Sequence, residues 1–342
     1  MDTVSAGASL ERFALAPDLT MCRIVNGMWQ VSGGHGRIDR EGALGSMAAY
    51  VDAGFTTWDL ADHYGPAEDF VGEFRRRYAA EHGEPALLDL QFATKWVPRP
   101  GPMPESVVEA AIAVSRRRMA TETLDLLQFH WWDYADRRYF DALAHLSDLR
   151  DAGAIRHLAL TNFDTERLAG ILDHGIRIVS NQIQFSLIDR RPEVRMMPFC
   201  RERGVHLLAY GTACGGLLSE RYLNQPEPRG SALDTASLQK YKRMVDAWGG
   251  WTLFQELLVA LHDVATRHAV GITTVAVRWV LDRPAVAGAI LGRRLGLIDH
   301  RDDDARVFTT VLDAEDHARI EAVVAKSRDL LSLIGDCGDE YR

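Results

Sequence analysis

Short apolar segments alternate with amphipathic, helix-length stretches from about residue 23 to residue 292, and this alternation strongly constrains the fold. Such a pattern is typical of right-handed βαβ units and a parallel sheet. Strands are predicted at 23–29, 56–60, 90–96, 124–130, 155–161, 178–183, 205–210 and 286–291. Helices are predicted at 41–53, 66–80, 104–118, 137–151, 164–174 and 193–203. Eight strands favour a closed (β/α)₈ TIM barrel over an open doubly wound sheet.

The absence of a G-x-G-x-x-G motif after the first predicted strand argues against a Rossmann fold. We expect residues 1–342 to form a single barrel domain. Residues 10–22 are predicted to form an N-terminal hairpin at the barrel floor. Residues 211–250 are predicted to form a long loop at the catalytic rim, after the seventh strand. Residues 327–342 are predicted to be a C-terminal extension that can fold over the same rim.

Charge and cysteine usage restrict the partners and the compartment. The formal net charge of −9 argues against nucleic acid or an anionic membrane as the main partner. The four cysteines are scattered, without a C-x-x-C pair, as expected for reduced thiols in a cytosolic protein. The first residues lack the apolar core of a signal peptide, and no apolar run approaches the length of a membrane span. The sequence therefore predicts a cytoplasmic protein with a small-molecule partner.

Polar residues stand at the ends of three neighbouring predicted strands. Asp59, Lys95 and His130 lie at these C-terminal ends, and Tyr64 follows in the loop after Asp59. A parallel barrel brings such strand ends to one rim, where its active site lies. An ammonium group lowers the pKa of a nearby phenol, so Lys95 beside Tyr64 would make a usable general acid, with Asp59 as its counter-charge. His130 would orient a carbonyl oxygen as that oxygen gains negative charge.

Each of these residues alone has a simpler structural explanation. A lone Asp, Lys or His at a strand end is more often a salt-bridge or capping group, and a lone Tyr is more often a half-buried aromatic. Four such groups at one rim form a much more specific pattern, and together they favour catalysis. Because no side chain supplies a hydride, this chemistry implies a nicotinamide cofactor.

The segments that carry these residues resemble the catalytic segments of the aldo-keto reductases. They are Asp59-Leu60-Ala61-Asp62-His63-Tyr64-Gly65, Ala93-Thr94-Lys95 and Leu127-Gln128-Phe129-His130. Further matches follow in the family's order at 158–163, 181–185, 210–212 and 288–304. The resemblance covers roughly residues 20–325. It implies a (β/α)₈ barrel that uses NADPH to reduce aldehydes or ketones to alcohols, in a reversible reaction.

The resemblance also implies a role for each matching residue. Tyr64 would be the general acid, tuned by Lys95 paired with Asp59, and His130 would direct the carbonyl group. The implied nicotinamide contacts are Thr161, Asn162, Gln182 and the stacking ring of Tyr210, and those along the pyrophosphate are Gly211, Thr212 and Leu217. The last cofactor-binding stretch contains Leu291, Gly292, Arg293, Arg294, His300, Asp303 and Asp304.

The preference between the two nicotinamide cofactors depends on this last stretch. Two adjacent guanidinium groups, Arg293 and Arg294, suit a 2′-phosphate and favour NADPH. The family commonly has an acidic residue followed by Asn where this chain has Asp303-Asp304. An asparagine both donates and accepts, whereas a carboxylate only accepts, so one adenine contact differs. The consecutive acids at 302–304 also disfavour a nearby phosphate, so NADH stays possible.

Tryptophans cluster at the predicted strand ends. Trp29, Trp96, Trp131 and Trp132 are predicted to line an apolar wall around the reacting carbonyl group. Core packing is the alternative for any one of them. Trp248 and Trp251, beside the long rim loop, are candidates to close over the same space. This pattern favours an aromatic or otherwise hydrophobic carbonyl substrate over a small sugar.

Two other classes of protein compete with this interpretation. One is a cofactor-binding regulatory subunit with little turnover, although all four residues needed for the chemistry are present here. The other is a metal-dependent barrel hydrolase, which needs several His or carboxylate ligands around one ion. His130 has no H-x-H partner, which argues against that second class.

Overall fold

A computed structural model describes residues 10–33 and 38–341. Two strands, β1 (Arg12–Ala16) and β2 (Leu19–Cys22), form an antiparallel hairpin. Eight parallel strands follow and close a barrel: β3 (Ile24–Gly27), β4 (Thr57–Asp59), β5 (Gln91–Trp96), β6 (Leu124–Phe129), β7 (Ile155–Thr161), β8 (Ser180–Gln184), β9 (His206–Tyr210) and β10 (Val286–Gly292). The barrel closes where β10 pairs with β3. The predicted (β/α)₈ TIM barrel is therefore confirmed.

Helices surround this barrel and continue to the end of the chain. They are α1 (Arg40–Asp52), α2 (Ala67–His82), α3 (Glu105–Arg118), α4 (Tyr139–Asp151), α5 (Thr165–Asp173), α6 (Arg191–Val194), α7 (Met196–Arg203), α8 (Ala236–Trp248), α9 (Gly250–Arg267), α10 (Ile272–Leu281), α11 (Arg301–Thr309), α12 (Ala314–Val324) and α13 (Leu330–Ile334). Gly204 ends α7 in the left-handed region, with φ of 68°, and turns the chain into β9. Within the described part, no helix is both long and apolar enough to cross a membrane.

The N-terminal hairpin lies at the barrel floor, as the sequence predicts. Leu15, Leu19 and Met21 pack against small and apolar residues that point into the barrel, including Val25 and Ala159. This cluster is separate from the larger one between strands and helices. The floor is therefore filled with apolar side chains, and the polar side chains of the barrel collect at the opposite, C-terminal rim.

The rim segment 211–250 contains a helix as well as a loop. Thr235 caps α8, because its hydroxyl oxygen accepts a hydrogen bond from the Leu238 N–H at 3.1 Å. One face of α8 buries Tyr241, Val245 and Trp248. This amphipathic pattern has the helical period, so the apolar face attaches the segment to the rim.

Candidate active site

A buried ion pair between Asp59 and Lys95 forms the centre of the site. Asp59 is the last residue of β4, and Lys95 lies near the end of β5. The Lys95 Nζ donates to both carboxylate oxygens of Asp59, at 2.7 and 2.6 Å, and to the Leu60 carbonyl oxygen at 3.0 Å. Burial lowers the pKa of Lys95, and the nearby Asp59 carboxylate opposes that shift. The strand-end pattern in the sequence predicts that these two residues lie close together, and the ion pair shows that they do.

Tyr64 lies half-buried beside this pair. The Lys95 Nζ is 5.0 Å from the centroid of the Tyr64 ring, and the Trp29 ring packs edge-on at 4.9 Å. Burial, followed by the negative charge of Asp59, raises the pKa of the Tyr64 hydroxyl well above its usual value. The expected lowering of that pKa by Lys95 is therefore not seen, because Asp59 neutralises the ammonium group at close range. The phenol remains protonated at neutral pH, which is the form that a proton donor needs.

Two glutamine side chains add donors to the Asp59 carboxylate. The Gln128 Nε2 donates to Asp59 Oδ1 at 2.8 Å, and the Gln182 Nε2 donates to the same oxygen at 2.6 Å and to Gln128 Oε1 at 2.7 Å. Sequence reasoning missed Gln128 as a site residue. A fully buried glutamine within the apolar strand β6 was the available signal. Gln182, predicted at the nicotinamide carboxamide, bonds to this network with its amide nitrogen.

His130 follows β6 directly and is 2% exposed. Its Nδ1 lies 3.0 Å from the Thr161 carbonyl oxygen. Since a carbonyl oxygen only accepts, Nδ1 carries the hydrogen in this contact. Nε2 therefore donates a hydrogen bond only when the ring is protonated, and accepts one when the ring is neutral. The ring of Trp132 packs edge-on against His130, with the centroids 4.3 Å apart.

The residues predicted to hold the nicotinamide come together at the ends of β7 and β9. Asn162 has a positive φ of 58°, and its N–H donates to the Gln182 carbonyl oxygen at 2.8 Å. The Tyr210 hydroxyl donates to Asn162 Oδ1 at 2.8 Å. The Lys240 ammonium of α8 lies 4.9 Å from the centroid of the Tyr210 ring and covers one of its faces. These contacts hold the Tyr210 ring at both its edge and one face.

The predicted pyrophosphate path begins directly after β9. Gly211 has a φ of 76°, and a Cβ added there would lie 2.5 Å from the Tyr241 hydroxyl oxygen. The Thr212 Oγ1 is buried and has no hydrogen-bond partner within the described part of the chain. Leu217 is buried behind them. The Thr212 hydroxyl can donate a hydrogen bond, and the adjacent Gly211 has no side chain to keep a ligand away from the backbone. Both features fit the close approach of phosphate oxygens.

Two residues predicted to contact the adenosine end bind each other instead. The Arg293 guanidinium forms a 2.7 Å ion pair with Asp304 and donates to Asn26 Oδ1 at 2.8 Å. Arg293 is 2% exposed and also covers the Tyr50 ring at 4.7 Å. The Arg293 Nη2 has no hydrogen-bond partner within the described part of the chain, and ligand contacts of Arg293 and Asp304 stay a prediction. Gly292, Arg294, His300 and Asp303 are exposed, whereas Leu291 is buried at the end of β10.

The four predicted pocket tryptophans divide into two groups. Trp29 and Trp132 are 36% and 43% exposed and contact the rings of Tyr64 and His130, respectively. Trp96 and Trp131 are buried, and the Trp131 Nε1 donates to the carbonyl oxygens of Asp133 and Asp136. Trp131 therefore packs in the core, which was the alternative for each tryptophan. Trp248 is buried as well, and the Trp251 Nε1 donates to the Gln225 carbonyl oxygen.

The C-terminal extension reaches the same rim. The Tyr341 ring lies 6.5 Å from the Trp132 ring, and its hydroxyl oxygen is 3.3 Å from that of Tyr210. A Glu340 carboxylate oxygen lies 3.2 Å from the Tyr210 hydroxyl. Sequence reasoning did not assign these two residues, because nothing local in the sequence marks their destination.

The fold and site define a class of protein: a closed parallel barrel with an acid, a phenol, an amine and an imidazole at its C-terminal rim. The Aldo/keto reductase family model matches residues 23–325, and the chain belongs to this family. The family uses NAD(P)H. Among residues 10–33 and 38–341, no group of three or more His, Cys, Asp or Glu is arranged to hold a metal ion.

Known proteins show how far this similarity extends. The NADH-specific methylglyoxal reductase of Escherichia coli (strain K12) is 23% identical over 301 residues, which cover 80% of this chain and 86% of that protein. Flagellar radial spoke protein 5 of Chlamydomonas reinhardtii is 29% identical over 259 residues, and the match covers 65% of this chain but only 49% of that protein. The chain thus spans about half of that relative's length. An aldo/keto reductase from Klebsiella pneumoniae, solved with NADP and acetate, has the same fold, with a TM-score of 0.70, 20% identity and coverage of 92% and 96% of the two chains.

Proposed function

We propose that this chain catalyses the reversible, NAD(P)H-dependent reduction of an aldehyde or ketone to an alcohol, with Tyr64 as the proton donor. The buried Asp59–Lys95 pair beside Tyr64, at the C-terminal rim, carries this proposal. A buried ion pair is costly to desolvate, so its presence at the rim favours a catalytic role.

The residues of the chain then have distinct tasks. A bound nicotinamide would supply the hydride to the carbonyl carbon. Tyr64 gives its proton to the carbonyl oxygen as that oxygen gains negative charge, and the Asp59–Lys95 pair lies beside its ring. His130, in its protonated form, donates from Nε2 to the same oxygen and orients it. In the direction of alcohol oxidation, Tyr64 acts as the base.

The proposed cofactor contacts follow the described geometry. Thr161, Asn162 and Gln182 would hold the nicotinamide carboxamide, and the Tyr210 ring would stack on the nicotinamide. Because Lys240 covers one face of Tyr210, the other face of this ring is the one that would hold a nicotinamide. Gly211, Thr212 and Leu217 line the pyrophosphate.

NADPH is the preferred cofactor in this proposal, and NADH is the alternative. The exposed Arg294 is the group that binds the 2′-phosphate, since Arg293 is held by Asp304. His300 and Asp303 lie exposed on the same stretch, where an adenosine would bind. Rates measured with NADPH and NADH in parallel, across a panel of carbonyl compounds, test this preference.

The substrate proposed is an aromatic or otherwise hydrophobic carbonyl compound. Trp29 and Trp132 present partly exposed indole rings next to Tyr64 and His130, and such rings favour apolar substrates. Turnover of benzaldehyde should therefore exceed turnover of an aldose. Faster reduction of the sugar would contradict this assignment.

A substitution at Tyr64 tests the catalytic role against that of a cofactor-binding regulatory subunit. We expect Tyr64→Phe to lower the rate of benzaldehyde reduction by about 100- to 10,000-fold, the usual contribution of general acid catalysis, without a matching loss of NADPH binding. Tyr78→Phe, on the half-buried surface of α2, is the matched control and should keep full activity. If the wild type and the Tyr64 variant bind NADPH but turn over equally slowly, the regulatory role is correct and the catalytic one is wrong.

A further inference from the structure

The C-terminal turn 335–341 is fastened to the barrel rim by its own polar groups. The Asp336 carboxylate accepts a hydrogen bond from the Thr165 N–H, at the start of α5, at 3.1 Å. The Asp339 carboxylate accepts one from the Asp336 N–H at 2.7 Å, which closes the turn on itself. These two hydrogen bonds give the turn a defined conformation without any contribution from the catalytic group.

Arg191 is the main anchor of this turn. Its guanidinium is 1% exposed and binds both oxygens of Asp189 at 2.8 Å. The same group donates to the Asp336 carbonyl oxygen at 3.0 Å and pairs with the Glu340 carboxylate at 2.9 Å. The Glu340 side chain is only 5% exposed. Because loss of one partner would leave a buried charge uncompensated, this pairing keeps Glu340 in place.

The second carboxylate oxygen of Glu340 faces the Tyr210 hydroxyl at 3.2 Å. The single hydrogen of that hydroxyl is shared between Glu340 and Asn162 Oδ1, which lies at 2.8 Å, and the Tyr341 hydroxyl is 3.3 Å away. Lys240 completes the group, because its ammonium donates to the Tyr341 hydroxyl. The outer edge of the Tyr210 ring is thus held by polar atoms from two remote segments of the chain.

We propose that Glu340 is a positioning residue for the nicotinamide site: anchored by Arg191, it fixes the Tyr210 ring and, through it, the Asn162 carboxamide. This inference rests on the proposed function, in which Tyr210 and Asn162 contact the nicotinamide. Because Asn162 Oδ1 shares the Tyr210 hydrogen, the position of the Tyr210 ring also fixes the orientation of the Asn162 side chain. The arrangement fixes an aromatic face and a neighbouring carboxamide before the cofactor arrives, which reduces the entropy lost on binding.

The test separates the nicotinamide half of the cofactor from the adenosine half. Dissociation constants for NADPH and for adenosine 2′,5′-bisphosphate are measured by titration calorimetry on the wild type, Glu340→Ala and Glu340→Gln. Glu321→Gln is the matched control, because Glu321 pairs with the neighbouring Arg190 at 2.6 Å and lies on α12. Thermal unfolding of each variant verifies that it is folded.

We expect Glu340→Ala to weaken NADPH binding by about tenfold, the effect of losing a hydrogen bond to a charged group, and to leave the affinity for the bisphosphate unchanged. Glu340→Gln keeps an oxygen near Tyr210 and should show a smaller loss, and the Glu321 variant should bind both ligands as the wild type does. Equal weakening of both ligands by Glu340→Ala would overturn the positioning role.

Two other results would also overturn it. Unchanged NADPH binding by Glu340→Ala would show that Tyr210 needs no support from the turn. Tighter binding would show that the turn occupies the space of the nicotinamide. If the wild type binds neither NADPH nor NADH more tightly than it binds the bisphosphate, the proposed function itself is wrong, and this inference is wrong with it.

Discussion

The Lys95 ammonium lies between the two carboxylate oxygens of Asp59, at 2.7 and 2.6 Å, and both side chains are at most 5% exposed. Gln128 and Gln182 also donate to this carboxylate, so the negative charge is surrounded by donors on several sides. The pair is both the centre of the proposed catalytic group and a contact between the neighbouring strands β4 and β5. Stability and activity should therefore depend on it together.

Removal of one partner of this pair should destabilise the protein strongly. We expect Asp59→Asn to lower the free energy of unfolding by about 3–5 kcal/mol, because Lys95 loses its buried counter-charge. Adding Lys95→Met should recover part of this loss, and the coupling energy should be roughly 1–3 kcal/mol in a double-mutant cycle followed by urea unfolding. Glu256→Gln, which breaks the exposed pair with Lys326, is the control and should change stability by less than about 1 kcal/mol. Additive effects of the two buried substitutions would contradict this prediction.

Stability should fall in alkaline solution, in part through Cys22. Burial raises the pKa of the Cys22 thiol from its usual 9.0 to about 11. Between these values the unfolded chain loses the proton while the native thiol keeps it, so the unfolded state is favoured as pH rises. The fall attributable to this residue is about 2–3 kcal/mol over the interval. Urea unfolding from pH 8 to 11 should show a shallower decline for Cys22→Ala, and identical slopes for the two proteins would exclude Cys22 as a cause.

The neighbouring residues Arg293 and Arg294 should behave differently on substitution. Arg294→Met should weaken NADPH binding by about tenfold, equivalent to roughly 1.4 kcal/mol, and leave NADH binding unchanged, because only NADPH has a 2′-phosphate. Arg293→Met should instead destabilise the fold by about 3–5 kcal/mol, because it leaves Asp304 without its buried partner. Binding titrations and thermal unfolding on both variants distinguish the two roles. A selective loss of NADPH binding by the Arg293 variant would reverse the assignment.

Substitutions of the neighbouring residues Trp131 and Trp132 should distinguish a role in substrate binding from a role in core packing. Trp132→Ala should raise the KM for benzaldehyde with little effect on unfolding, because its indole is 43% exposed and contacts the His130 ring. Trp131→Ala should lower stability by about 3–5 kcal/mol, since it empties a large volume in the core. Steady-state kinetics with benzaldehyde and urea unfolding provide the two measurements. An unchanged KM for the Trp132 variant would remove this ring from the substrate pocket.

The sequence by itself determined the barrel and the positions of Asp59, Lys95 and His130 at its rim. Both conclusions come from local patterns: an alternation of strand and helix, and a polar residue at the end of an apolar strand. The parallel topology then brings those strand ends together without knowledge of any individual contact. The N-terminal hairpin was predictable for the same reason, since a turn between two short apolar segments is a local signal.

Only the tertiary structure decided which polar groups pair with each other. Arg293 pairs with Asp304 and Asn26, and Gln128 joins Gln182 at Asp59. Glu340 reaches Tyr210 across 130 residues of sequence. Such contacts depend on distances between segments far apart in the chain, and a change of about one ångström separates a hydrogen bond from none. Sequence periodicity specifies the face and the end of an element, but it contains no information on those distances.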